Sequence, residues 1–237
     1  DRLICTPGGA QGSVAALDKK TGDVIWRTKD LPDPASYSAA ISAEIGGKRQ
    51  LVVLTGASLA GINPEDGTVM WRADRAGKSF VVATPIVADN QIFVTSADVG
   101  CQLFTVTESG GSFTAAESYK SLKLKNDWGG AIKVGDHVYG DNGATFVAID
   151  FKSGEMSTRA RMIGECGVCY ADGHLYLQNP DGVVALVEAK PDAITEKGRF
   201  TQPEAAGKKV YAVPTVSNGR LYLRALDTLV AYDIKKS

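Results

Sequence analysis

Apolar and polar residues alternate along this chain in short runs, each bounded by a turn of Gly, Asn or Asp. Four such runs share one form: Asp89-Asn90-Gln91-Ile92-Phe93-Val94, Gly135-Asp136-His137-Val138-Tyr139, Asp172-Gly173-His174-Leu175-Tyr176-Leu177 and Asn218-Gly219-Arg220-Leu221-Tyr222-Leu223. A longer version runs from Gly46 to Val53, and Asp1-Arg2-Leu3-Ile4-Cys5 matches only its second half. A period of two is that of a half-buried strand, and Asn-Gly or Asp-Gly between apolar runs marks a tight hairpin. Leu3, Leu51, Ile92, Val138, Leu175 and Leu221 take equivalent places, roughly 37 to 48 residues apart. Propeller blades repeat every 40–50 residues or so.

A second element follows several of these hairpins. It reads Ala16-Leu17-Asp18-Lys19-Lys20-Thr21-Gly22-Asp23-Val24-Ile25-Trp26, then Gly61-Ile62-Asn63-Pro64-Glu65-Asp66-Gly67-Thr68-Val69-Met70-Trp71. A third copy starts at Ala148-Ile149-Asp150, with Thr158 where the Trp would fall. One strand ends at the Asp or Asn, a turn closes on a left-handed Gly, and another strand begins. Two hairpins per repeat predict four-stranded antiparallel blades. No segment carries a capped helical period, and Val183 to Glu188 is taken as strand because Pro191 follows closely. The expected fold class is all-β: a β-propeller with about six repeats in residues 1–237, as a single domain.

These residues carry a family resemblance. The Ala-Leu-Asp-x-x-Thr-Gly-x-x-x-Trp pattern resembles the pyrroloquinoline-quinone-like (PQQ-like) propeller repeat. From Leu3 to Asp233 the chain is similar to bacterial secreted PQQ-binding-like β-propeller proteins. The resemblance implies an extracytoplasmic location, periplasmic or secreted, and commonly eight blades, the last completed by an N-terminal strand. On that alignment Asp1 falls in the turn after an absent innermost strand, and Ser237 falls at the place of Gly22, before an outermost one. The expectation is therefore an arc of an eight-bladed propeller, with N-terminal blades and any signal peptide outside this chain; a loosely closed six-bladed ring is the alternative.

Composition narrows the function classes. The chain is 44% hydrophobic and 22% charged, enough apolar material for a substantial core. Lys and Arg number 26 against 27 Asp and Glu, so no basic excess favours nucleic acid. No apolar run approaches the roughly 20 residues of a membrane-spanning helix.

Candidate chemistry is sparse. His137 and His174 are repeat equivalents, with Arg220 at the same place in a third copy, which speaks for a structural origin. Cys5 and Cys101 fit as small apolar residues on strands. Cys166 and Cys169 form a C-x-x-C without haem or thioredoxin context. In an extended strand their α-carbons would lie about 10 Å apart, too far for a bridge. A turn at Gly167 would permit a disulfide, so free thiols and a bridge both stay open. Trp26 and Trp71 end outer strands and read as structural residues that lock neighbouring blades.

Trp128 differs, because Asn126-Asp127-Trp128-Gly129-Gly130 precedes an innermost strand at one mouth of the channel. The topology brings Tyr37 and Tyr211 to that mouth as well. Tyr37, Asp127, Trp128 and Tyr211 are therefore the candidates for cofactor or ligand contact: an aromatic ring that stacks a planar ligand, or a plug that keeps the channel dry. For a quinoprotein dehydrogenase the resemblance implies an Asp base, a Ca²⁺ held by Glu, Asn and Asp, and often adjacent cysteines. No adjacent pair exists, and one carboxylate at Asp127 is too few for Ca²⁺. Gly110-Gly111 lacks the Lys-Ser/Thr of a phosphate loop. The expectation is an extracytoplasmic binding or assembly module with a protein partner, no catalytic residues, no metal and no cofactor. A PQQ- or other cofactor-dependent oxidoreductase completed by further blades is the alternative, and a sensor or adhesive domain a third.

Overall fold

Left-handed backbone at Asp172 and Gly173 (φ 49° and 77°) and at Asn218 and Gly219 (φ 50° and 71°) closes the tight turns that the sequence marks. Each turn folds one alternating run back on the next, and the result is sheet throughout. The computed structural model describes residues 1–75, 77 and 81–235; Ser237, the counterpart of Gly22, lies outside them.

Among the described residues twenty-two strands form six antiparallel sheets, each built from consecutive strands. The first holds β1 (Arg2–Cys5), β2 (Ala15–Asp18) and β3 (Val24–Arg27). The second holds β4 (Ile41–Ile45), β5 (Lys48–Leu54), β6 (Ser58–Ile62) and β7 (Val69–Asp74). The third holds β8 (Ile86–Ala88), β9 (Gln91–Ser96), β10 (Gly100–Ser109) and β11 (Ser112–Ser121). The fourth holds β12 (Ile132–Val134), β13 (His137–Asp141), β14 (Phe146–Asp150) and β15 (Met156–Ala160). The fifth holds β16 (Gly167–Ala171), β17 (His174–Gln178), β18 (Val183–Ala189) and β19 (Ile194–Thr201). The sixth holds β20 (Thr215–Ser217), β21 (Arg220–Ala225) and β22 (Thr228–Asp233). Among the described residues the only helical turn is a 3₁₀ turn at Pro203–Ala205.

The ambiguous Val183–Ala189 segment is strand β18, as its β-branched residues favour. The strand through Cys101 runs longer than its alternation suggested, because β10 and β11 continue as a ten-residue ribbon on each side. The first and sixth sheets have three strands.

The chain divides into two compact units, Asp1–Leu122 with the first three sheets and Lys123–Ser237 with the last three. In the first unit the core lies between sheets: Trp26 shares one cluster with Leu51, Val53 and Ile62, and Trp71 shares another with Ile92, Val94 and Phe104. In the second unit Tyr139, Phe146, Leu175, Leu177 and Val187 belong to one cluster. Within each unit residues of adjacent sheets thus bury one another, as in other repeat arrays.

One irregularity recurs. In five sheets the pairing of the last two strands slips by one residue, a β-bulge that sharpens local twist. The residue paired just before the slip is Trp26 opposite Ala16, Trp71 opposite Gly61, Tyr119 opposite Leu103, Thr158 opposite Ala148 and Gly198 opposite Leu186.

Candidate functional site

The loops that enter successive sheets place the candidate residues, and each loop is tied down by buried polar groups. Before the second sheet, the Asp33 carboxylate accepts from Thr55 Oγ1 at 2.7 Å and from the Ser58 hydroxyl, and Arg72 lies 3.3 Å away. Before the third, Arg75 donates to the Gly56 carbonyl and the Ser96 hydroxyl and pairs with Asp98 at 2.9 Å. Before the fourth, Asn126 Nδ2 donates to Asp141. Before the fifth, the Ile163 carbonyl accepts from Asn179 Nδ2 at 2.9 Å. In each case the partner sits in or beside the turn joining the second and third strands of a sheet.

In the second unit these loops carry the aromatic candidates. Trp128 and Tyr211 meet edge to face, with centroids 5.3 Å apart and planes at 88°. That arrangement suits the ring quadrupoles but leaves no parallel slot between the two rings for a planar ligand. A Cβ on Gly167, which opens β16, would stand 3.4 Å from the indole and 3.2 Å from the Val213 backbone. Gly129 comes closer still to its neighbour, since a Cβ there would fall 1.9 Å from the Cys166 carbonyl oxygen. Trp128 is half-buried, and its shielded indole N–H meets no acceptor among the described residues. Tyr211 is 60% exposed, Val213 is exposed too, and Asp127 projects into solvent beside them. Tyr37 belongs to the first unit, where its N–H donates to the Val81 carbonyl and its side chain is exposed.

The residue beneath this surface is one the sequence did not single out. Asp141 is 1% exposed at the end of β13. Its oxygens accept from Asn126 Nδ2, from the Gly143 N–H at 3.2 Å and from the Cys166 N–H at 3.5 Å, while Asn126 Oδ1 accepts from the Gly130 N–H at 2.6 Å. The hydrogen bonds favour the carboxylate, but burial outweighs them, helped by the charge of Glu165, and Asp141 is raised to about 6. The Asp-Asn-Gly turn at 141–143 was the available signal; nothing in it marks which carboxylate is buried.

The sign of the pH effect follows from that balance. Between the unfolded value near 3.8 and the folded value of about 6, the native state binds more protons. This stabilisation is complete below 3.8 and disappears as pH rises through 6. Unfolding free energy is expected to be greater at pH 5 than at pH 7 by about 1 kcal/mol from this group. Urea denaturation of wild type and Asp141→Asn isolates it; an identical pH slope for the two proteins would refute it.

The remaining candidates fall into place singly. Trp26 is 8% exposed and donates to the Pro64 carbonyl of the second sheet at 3.2 Å, its ring lying over Gly67. Trp71 is 4% exposed and donates to Gln50 Oε1 at 2.6 Å, with Gly61 beneath its ring. All four cysteines are free thiols. Cys166 and Cys169 are unbridged because β16 runs extended from Gly167 to Ala171, with Cys169 paired to Tyr176. Burial pushes the Cys166 thiol well up, and the Asp141 charge adds to it, so this sulfur is a poor nucleophile. His137 pairs with Asp150 across β13 and β14, and His174 contacts the Asp172 carbonyl, so each stands at its own hairpin.

A Ca²⁺–PQQ centre finds no ligand set here. Among the described residues no three His, Cys, Asp or Glu side chains gather as metal ligands. Asp141 already receives N–H donors on both oxygens, and Asp127 is exposed on its loop.

Repeated sheets of three or four antiparallel strands, locked through buried aromatic and polar groups, define a β-propeller repeat protein. Solved structures agree on the fold. The chain covers 80% of the β-propeller domain of Myceliophteria thermophila Cps50 (Swd1), with a TM-score of 0.66, 12% identity and 99% of this chain aligned. It covers 77% of BamB from Moraxella catarrhalis, with a TM-score of 0.52, 17% identity and 97% of this chain aligned. Residues 10–155 match the family described as outer membrane protein assembly factor BamB, and the chain belongs to that family.

Two curated relatives carry the same description. The Burkholderia pseudomallei protein is 28% identical over 197 residues, 81% of this chain and 48% of the relative. The Shewanella oneidensis protein is 26% identical over 133 residues, 53% of this chain and 33% of the relative. The chain thus spans about half or less of the curated relatives it matches. Among the described residues no helix is long and apolar enough to cross a membrane.

Proposed function

We propose that this chain is an extracytoplasmic protein-binding module that serves the assembly of outer-membrane proteins, with a protein partner and no chemistry of its own. The observation that carries the reading is the surface of the second unit around Trp128. Tyr211 and Val213 expose apolar groups beside a ring that is itself half-buried; the buried Asn126–Asp141 contact fixes the loop bearing that ring, and the Val210 N–H donates to the Pro180 carbonyl at 2.8 Å on the loop bearing Tyr211. An aromatic anchor on a rigid mount is what a binding hot spot requires. Family membership and the description that both relatives carry, outer membrane protein assembly factor BamB, support the same role.

The test places a photo-crosslinking amino acid at position 211 in the full-length protein in cells, with exposed Lys152 as the control position. Adducts with a component of outer-membrane protein assembly at 211 and not at 152 are expected. Tyr211→Ala with Val213→Asp is expected to remove at least 90% of the corresponding native association while leaving the unfolding midpoint within 2 °C of wild type, about a surface substitution's effect. The reading fails if position 211 yields no adduct, or yields the control's adducts.

A further inference from the structure

The geometry points to a binding site for one planar aromatic group, indole-sized, in an apolar cavity between the fifth and sixth sheets. The cavity has a volume of about 330 Å³ and is walled mainly by Tyr176, Leu186, Phe200, Leu221, Tyr232 and Ile234, with Gly198 and Arg199 also lining it. Its place in the repeat identifies its occupant. Gly198 pairs with Leu186 immediately before the β-bulge, the position that Trp26 and Trp71 hold in the first and second sheets. There each indole projects toward the following sheet: Trp26 packs with Leu51 and Ile62 and donates its N–H to the Pro64 carbonyl.

The sixth sheet supplies matching walls. Leu221 stands where Leu51 does in the repeat, Tyr232 where Ile62 does, and Ile234 where Pro64 does. What differs is the fourth strand. A Cβ added at Gly198 meets nothing within 4 Å, whereas one added at Gly61 or Gly67 would run into a tryptophan ring. Leu186, opposite Gly198, is half-buried. Phe200 and Tyr232 stay 5.2 Å apart, tilted at 57°, and flank the opening. The fifth sheet thus keeps the walls of the tryptophan slot without the tryptophan. An apolar cavity of about 150 Å³ takes a benzene ring, so about 330 Å³ accommodates a bicyclic one. The walls select a flat apolar bicycle the size of indole, either a free aromatic molecule or a tryptophan side chain carried by a partner. This site is separate from the Trp128–Tyr211 surface, and its test does not depend on the function proposed for that surface.

Titration with indole and with N-acetyl-tryptophanamide, followed by amide chemical-shift changes, is the experiment. Saturable shifts confined to β17, β18, β19, β21 and β22 and the residues that adjoin them are expected for indole. Binding of both probes within tenfold assigns the site to a partner's tryptophan, and binding of indole alone assigns it to a free aromatic molecule. Gly198→Trp is expected to raise the unfolding temperature and to weaken indole binding at least tenfold, because the new ring takes the slot. Gly198→Leu, a smaller filler, serves the same purpose should the larger one fail to fold. The proposal is overturned if indole gives no saturable shift up to its solubility limit, or if a folded filling variant binds indole as wild type does.

Discussion

Trp26→Ala and Trp71→Ala are each expected to lower the unfolding free energy by about 3–5 kcal/mol, read from urea or guanidinium denaturation. Each indole is the largest group in the gap between its own sheet and the next, and removal leaves a cavity whose walls are paired strands. Such walls relax little, so the loss of transfer energy is not recovered by collapse. Trp71 is expected to cost more than Trp26. Its N–H satisfies Gln50 Oε1, and Gln50 is wholly buried with its amide N already donating to the Ile45 carbonyl. Truncation would orphan that oxygen, adding roughly 1–3 kcal/mol. Losses below about 1 kcal/mol for both variants, the scale of surface substitutions, would remove the blade-locking role.

Asp98→Ala is expected to cost about 3 kcal/mol. The Arg75 side chain is 1% exposed, and Asp98 is its charge partner at 2.9 Å. Stripping the partner from a buried ion costs about 3–5 kcal/mol, and Asp98, whose side chain is 29% exposed, belongs at the low end. Arg75→Met in the Asp98→Ala background is expected to restore more than half of the loss, because the stranded cation goes with it. A single-variant effect under about 0.5 kcal/mol would make this an ordinary surface pair.

The strands were legible in the sequence because their signals are local. Asp172-Gly173 and Asn218-Gly219 dictate hairpins whatever surrounds them, and Trp26 and Trp71 recur at one spacing beside a turn Gly. Tyr211 and Trp128 could be placed near each other because repeat topology converts spacing into position. Asp141 could not, since its burial arises from two segments, Asn126 and Cys166, that lie 15 and 25 residues away. Asp127 looked the more promising carboxylate because it adjoins an aromatic, yet on that loop the side chain turned inward is Asn126. Gly198 illustrates the other limit: its strand carries no Trp to align, so only the bulge register reveals that it occupies the tryptophan position.

The buried contacts that tie the entry loops have a bearing on how the chain finds its fold. Neighbouring repeats that look alike invite mispairing, in which one loop docks on the wrong copy. Here each loop carries a different chemical key: a carboxylate for two hydroxyls at Asp33, a guanidinium for a carboxylate at Arg75, an amide for a carboxylate at Asn126, and a backbone carbonyl for an amide at Ile163. Exchanging the first two would seat the Asp33 carboxylate against that of Asp98 and leave Arg75 facing Thr55 and Ser58 without an acid. A misdocked loop would thus bury an unpaired charge, at a cost of several kcal/mol. Repeats similar in backbone are thus given chemically different anchors at the loops before the second, third, fourth and fifth sheets.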